Sequence, residues 1–328
     1  MSSHRVSHQL KDWKLSFLDR TADLLLEESR LAKAQNSLAF ERELDLKSWL
    51  QSESTTVPGK DQLQSACFSY PLIALTQAAN FLAFLHTGGF QHEQIVQRAL
   101  AAIGHSQGIV SAVVFAASKT QKNSRASRWR QFVTHSGTVF VLRKPTKGLT
   151  SAQLYQCIEE AHFRAGSESL QVSLVNGRNA FCVTGLPSTL RQLEEVLKVT
   201  FAMPSEDQTR VPFSSRKPSC SWIYLPVTCP FHSPLLSEAL LHIQHDIERL
   251  GLVVCGDLRS LQNTNVFTQV AEHQLLHRED WTKLSRQLSH SDMTHFLDFG
   301  PGVGATHFSA DFAEARGIQV VTACRKSP

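Results

Sequence analysis

The feature that most constrains this chain is Gly104-His105-Ser106-Gln107-Gly108, a serine held between two glycines. Leu100-Ala101-Ala102-Ile103 precede it and Ile109-Val110-Ser111-Ala112-Val113-Val114-Phe115-Ala116 follow it. Two apolar runs joined by so short a segment predict a strand that turns sharply into a buried helix, the arrangement of a nucleophile elbow. The glycines let backbone approach closely on both sides of the serine, and the start of the helix offers N–H groups and a positive dipole end to a developing oxyanion. The bland reading is a glycine-bounded turn with an idle serine, and the pentapeptide alone does not separate the two.

Composition sets limits without choosing between them. With 328 residues and 42% hydrophobic content, the chain suffices for one large α/β unit with an inserted subdomain, or for two domains. No apolar stretch reads as reaching the ~18 residues that span a bilayer, and Met1 to Arg20 is polar and mixed in charge, unlike a signal peptide. The expectation is a soluble, cytoplasmic protein with no membrane partner. Seven scattered cysteines point to reduced thiols rather than a disulfide framework. A net charge of +4, dispersed apart from Lys119 to Arg130, argues against a nucleic-acid partner and leaves an acidic protein partner compatible. Lys119 to Arg130 itself reads as an exposed connection.

Helical spacing of apolar residues predicts helices over Leu15 to Ala32 and Phe68 to Leu85, the second beginning near Pro71, with a loop over Ser52 to Lys60. From Thr138 to about Met203 the pattern changes. Val139 to Leu142 reads as a strand and Ser151 to Arg164 as an amphipathic helix. Val172 to Val175 and Ala180 to Val183 read as a hairpin around Asn176-Gly177, and Ser188 to Val199 as a second helix with a serine cap. That order is the order of a small ferredoxin-like unit. Ser221 to Leu225 then leads into a proline-bounded loop. Helices follow over Leu236 to Leu250, Val266 to Leu276 and Trp281 to Leu288, and His295 to Phe299 reads as a strand ending in Gly300-Pro301-Gly302-Val303-Gly304.

A serine hydroxyl needs a base, and His232 is the natural candidate among fifteen histidines, since Pro230 and Pro234 stiffen the loop on either side of it. His273 and His277 stand one helical turn apart but lack the glutamate and third ligand of a zinc motif, so no metal is expected. The glycine-rich run after Asp298 is similar to a nucleotide-binding loop, yet only Ala305 to Pro328 follow it, too few for the rest of that fold.

Six segments then occur in one order: Ser69-Tyr70-Pro71-Leu72-Ile73, Gly104 to Gly108, Val172 to Gly177, Arg210-Val211-Pro212-Phe213-Ser214, Leu225-Pro226-Val227 with Pro230-Phe231-His232-Ser233, and Leu297 to Gly302. The series resembles the acetyltransferase domain of the fungal fatty-acid synthase beta subunit and the starter-unit acyltransferase domains of fungal polyketide synthases. More distantly it resembles malonyl-CoA:acyl-carrier-protein transacylases. The resemblance runs from about Leu10 to Ala323. The expected fold is an α/β-hydrolase-like parallel-sheet domain, residues 1–143 and 208–328, with a ferredoxin-like insertion over 144–207.

The resemblance implies an acyl-CoA:acyl-carrier-protein S-acyltransferase of fatty-acid or polyketide biosynthesis, with Ser106 acylated and His232 acting as base and acid. No bound cofactor is expected. Acyl-CoA is the substrate, and the phosphopantetheine thiol of an acyl carrier protein is the acceptor; other synthase subunits are further candidate partners. The Gln107 N–H corresponds to one oxyanion donor. His273-Gln274-Leu275-Leu276 followed by Trp281 corresponds to the segment whose main-chain carbonyl orients the histidine, so Gln274 is the expected donor of that carbonyl. His105 and Asn176 are candidate pocket residues, each with an equal structural reading.

Two departures bear on activity. Family members carry an N-terminal strand and a Gly-Gln-Gly loop that supplies a second oxyanion N–H, and nothing like it precedes Ser16. Losing such a donor costs on the order of 10²–10³ in rate, so an impaired scaffold relative is one alternative and a serine thioesterase of the same chemistry another. Transferases for malonyl units also carry an arginine after the elbow, and aligning Trp129 to Leu142 with that region finds none from Gln131 to Leu142. A neutral acyl group, acetyl or a longer starter, is expected.

Overall fold

The long helices of the first third form because their apolar residues recur at helical spacing, and Gly89 stops one of them. The structure, a computed structural model, describes residues 3–34, 42–51, 57–117, 138–143, 149–227, 229–249, 266–288, 292–302 and 304–322. It divides into two units, Met1–Val133 with Ile243–Val270 and Leu288–Pro328, and Thr134–His242 with Ala271–Gln287. The first begins with α1 (Ser3–Ala34), α2 (Leu46–Trp49), α3 (Lys60–Gln64), α4 (Ala66–Gly88), α5 (His92–Arg98) and α6 (Gly108–Ala117).

Helices α1, α3 and α6 pack against α4. Cys67 and Phe68 of α4 join Ala32 and Leu44 in a buried cluster, and the Leu44 N–H donates to Ser29 Oγ at 2.9 Å, tying the following segment back to α1. Gly89, at φ 65°, ends α4 in the left-handed conformation that glycine adopts without a Cβ penalty. Pro71 lies inside α4, which starts at Ala66, so the helix begins earlier than the proline suggested. By length and composition α4 could also cross a membrane, which corrects the expectation that no segment reaches that length. Its polar residues are engaged within the unit, Gln77 Nε2 donating to the Gly300 carbonyl and Asn80 Nδ2 to that of Phe299, each at 2.8 Å.

The second unit holds β1 (Thr138–Arg143), α7 (Ser151–Ala165), β2 (Gln171–Gly177), β3 (Ala180–Gly185), α8 (Pro187–Thr200) and β4 (Ser221–Tyr224). After α9 (Ser237–Arg249) and α10 (Val266–Leu275) come β5 (Glu279–Asp280) and α11 (Trp281–Leu288). The sheet runs β4-β1-β3-β2-β5, antiparallel throughout except for β2 with β5. The first four strands with α7 and α8 have the order and pairing of a split βαβ unit. A reciprocal cap between Thr150 and Gln153 starts α7, and Gly166 at φ 62° ends it. Leu154, Ile158, Leu190, Leu193 and Leu197 of the two helices bury against Val172, Val175, Phe181 and Val183 of the sheet. Each such side chain contributes about 1.5–3 kcal/mol by leaving water.

The hairpin turns at Arg178 and Asn179, two residues later than Asn176-Gly177 suggested, because β2 continues to Gly177. Asn176 is therefore a buried strand residue. The N-cap of α8 is Leu186 with Pro187 at its first position, in place of a serine cap. Strand β1 and residues 208–242 cluster with the second unit, which is thus larger than the expected insertion. A β-bulge between Val172 and Leu174 turns Leu174 away from the helices, so Leu174 and Cys182 instead form a small cluster with Leu225 and Val227.

The chain returns to the first unit with β6 (His295–Asp298), α12 (Gly304–Glu314) and β7 (Gln319–Thr322). β6 and β7 pair in parallel and are the strands of this unit among the described residues. Leu100 to Ile103, expected as a strand, has no strand assignment.

Candidate functional site

Ser106 sits at the turn into α6 with φ 52°. A Cβ on Gly104 would lie 1.9 Å from the carbonyl carbon of Gly108 and 2.1 Å from the Ile109 nitrogen, so only glycine permits the crossing that brings the two arms of the elbow together. The N–H groups of Gly108, Ile109 and Val110 are taken by the carbonyls of His105, Ser106 and Gln107 at 3.0–3.1 Å. The Gln107 amide, the expected oxyanion donor, precedes that series. Its side chain donates to the Tyr70 carbonyl, fixing the turn on α4.

A second tie comes from α6 itself: Ser111 Oγ donates to Gln77 Oε1 at 2.5 Å, and Gln77 in turn donates to Gly300. The glycine-rich run is held from its other side by Asp298, whose carboxylate accepts from the Gly300 N–H at 2.9 Å and from the Thr306 N–H and hydroxyl at 3.0 and 2.6 Å. This run buttresses the elbow helix. His105 packs on Phe308 of α12 with ring centroids 5.0 Å apart and planes tilted by 38°, a contact within the first unit.

His232 belongs to the second unit, is 1% exposed and has φ 59°. Three contacts hold it. The Gln171 side chain donates to its carbonyl, the Ser233 N–H donates to the Leu275 carbonyl at 2.7 Å, and ring Nδ1 lies 2.8 Å from the carbonyl oxygen of His277. A carbonyl only accepts, so Nδ1 carries the hydrogen and Nε2 of the neutral ring keeps its lone pair. Such a ring is poised to accept a proton at Nε2.

The orienting carbonyl is thus that of His277 and not of Gln274, three residues earlier. Gln274 lies in the last turn of α10 and is buried, and His277 follows the helix end. The His277 ring itself is exposed and lies 3.4 Å from Glu272. Asn176 donates to Cys182 Sγ at 3.6 Å beside Leu174. Burial pushes the Cys182 thiol up to about 12 and that of Cys229, three residues before His232, also to about 12. The five described cysteines are buried, and no disulfide joins them.

Sequence reasoning missed Glu279, a 5% exposed carboxylate with Oε2 3.9 Å from His232 Nε2. It stands between the charged residues Arg278 and Asp280, which give no sign of its burial. The stretch from Trp129 to Val133, the Lys119 to Arg130 connection and most of the 131–142 alignment lie outside the described residues. No group of three metal-ligating side chains occurs among the described residues.

Residues 5–124 match the family model described as "Starter unit:ACP transacylase in aflatoxin biosynthesis". The chain is 27% identical over 328 residues to the fatty acid synthase beta subunit stcK of Emericella nidulans, covering 85% of this chain and 17% of that protein. It is 27% identical over 332 residues to the fatty acid synthase subunit beta of Saccharomyces cerevisiae, covering 87% and 16%. The chain therefore spans about a sixth of the length of these relatives. Among solved structures, the acyl-carrier-protein-S-malonyltransferase of Bartonella henselae aligns with TM-score 0.61 and 15% identity over 95% of this chain and 90% of that one. A malonyl-transacylase in complex with its type II polyketide acyl-carrier protein aligns with TM-score 0.59 and 15% identity, over 94% and 90%. These structural likenesses carry the α/β fold.

Proposed function

We propose that this homologue of the fungal fatty acid synthase beta subunits is an acyl-CoA:acyl-carrier-protein S-acyltransferase acting through an acyl-Ser106 ester. The observation that carries the reading is backbone strain: among the described residues, Ser106 and His232 are the two non-glycine residues at positive φ. Each costs about 1–3 kcal/mol to hold there, and such strain gathers where function needs it.

In the proposed reaction, Ser106 Oγ attacks the thioester carbonyl of acyl-CoA as its proton passes to His232 Nε2, and the Gln107 N–H stabilises the oxyanion. Collapse breaks the C–S bond, and the thiolate of CoA leaves with the proton from Nε2. The thiol of a carrier phosphopantetheine then gives its proton to Nε2, attacks the ester carbonyl and displaces Ser106 Oγ, which takes the proton back. The absence of an arginine from Gln131 to Leu142 supports a neutral acyl group. A free carboxylate buried without a cationic partner would cost several kcal/mol.

Incubation with radiolabelled acetyl-CoA and a holo acyl carrier protein tests the reading. Label on the carrier, dependent on Ser106, is expected. Free acetate released at the same rate with or without carrier would make the protein a thioesterase, and no turnover at all would make it an inactive relative.

A further inference from the structure

The segment from His277 to Trp281 meets the His232 imidazole at both nitrogens. The His277 carbonyl takes Nδ1 at 2.8 Å, and Glu279 Oε2 lies 3.9 Å from Nε2. The neighbours of Glu279 place it there. Asp280 Oδ1 accepts from the Lys283 N–H at 2.8 Å and so caps α11, and Trp281 is fully buried. Alternation along β5 then turns Glu279 to the opposite side from Asp280, in register with Leu174 of β2. Its charge is felt on this face, where it adds to the rise of the Cys182 thiol after burial.

We infer that Glu279 is a positioning residue for His232, a buried carboxylate that stabilises the imidazolium formed when Nε2 takes up a proton. The inference rests on the proposed role of His232 as base. Burial alone disfavours the charged ring, and a carboxylate within ~4–6 Å favours it by about 1–3 pH units. At 3.9 Å the pair is too long for a hydrogen bond, and the charge still acts through the low-dielectric interior. The carboxylate takes no proton from the ring.

Other titratable groups on the surrounding elements do not replace it. The thiols of Cys182 and Cys229 stay neutral, pushed up to about 12 by burial. Arg278 donates to the Tyr155 hydroxyl at 2.7 Å, and the His277 ring lies beside Glu272. His273 is lowered by burial and then by His277.

The test is an NMR pH titration of the full chain with labelled histidine, the His232 signal being assigned by its loss in His232→Asn. The expected pKa of His232 falls by about 1 pH unit or more in Glu279→Gln. In Ser106 acylation by acetyl-CoA, the rising pH limb of the same variant moves to lower pH and its plateau drops several-fold. A structural role would lower the plateau without moving the limb. An unchanged His232 titration in Glu279→Gln overturns the inference, whether or not Ser106 is acylated. If that variant does not fold, the wild-type titration decides: a ring still neutral at pH 5 overturns the inference, and one that is protonated there while the protein stays folded supports it. A shifted titration without any acylation would sink the transferase reading and leave the Glu279–His232 coupling standing.

Discussion

His232 Nδ1 lies 2.8 Å from the main-chain oxygen of His277, so the ring is oriented by backbone and not by the side chain that happens to belong to that residue. The first expectation concerns this difference. His277→Ala keeps the carbonyl and should acylate Ser106 within about twofold of wild type, since an exposed ring away from the chemistry contributes little. His232→Asn should lose about 10²-fold or more, the scale of a general base. Initial rates of acyl-enzyme formation check both, and a His277→Ala loss as large as that of His232→Asn contradicts the backbone account.

The two glycines of the elbow should behave oppositely. A Cβ at Gly104 meets backbone at 1.9 Å, whereas one at Gly108 meets only Gln77 Nε2 at 3.7 Å. Gly104→Ala should destabilise by about 3 kcal/mol or fail to fold. Gly108→Ala, at the start of α6, should be neutral or gain up to about 1 kcal/mol. Urea unfolding midpoints distinguish them, and equal losses would remove the steric reason for Gly104.

Ser106→Gly should raise stability by about 1 kcal/mol over Ser106→Ala while both lose acylation, because glycine relieves the left-handed backbone at φ 52°. Thermal melts of the pair read this directly. Equal stability would show that the turn holds no strain.

The elbow was legible in the sequence because Gly104, Ser106 and the apolar run after Gly108 each have one local reason to be there. The alternating strands and amphipathic helices between Val139 and Val199 were legible on the same grounds. The strand expected over Leu100 to Ile103 rested on apolar character alone, and that does not decide whether a run finds a pairing partner. Gln274 was expected where the His277 carbonyl is found because a main-chain acceptor has no side-chain signature. Glu279 stands among charged neighbours, and its burial follows from a two-residue strand too short to announce itself by periodicity.

The thiols carry a pH dependence. Burial pushes those of Cys182 and Cys229 up to about 12 from 9.0. Folded, they hold their protons more tightly than in the unfolded chain, so their contribution is complete below pH 9 and is lost as pH rises toward 12. Stability should fall across that window, and Cys182→Ser with Cys229→Ser should flatten the fall. At pH 8 a thiol reagent should leave both unmodified until denaturant is added, as read by peptide mapping; rapid modification of either in the native protein contradicts its burial.

The proposed substrate choice rests on the missing arginine. Acetyl-CoA or a short saturated acyl-CoA should acylate the protein much faster than malonyl-CoA in parallel single-turnover assays. A preference of about tenfold or more for malonyl-CoA would contradict the desolvation argument and point to Arg128 or Arg130.

The most direct test of the central claim is peptide mapping by mass spectrometry after brief incubation with acetyl-CoA in the absence of any carrier protein. The account predicts one acetyl group, carried on the peptide containing Ser106, missing in Ser106→Ala, slow to appear in His232→Asn, and discharged when a holo acyl carrier protein is added. Acetylation at any other residue, or a Ser106 ester that forms equally fast without His232, would contradict it.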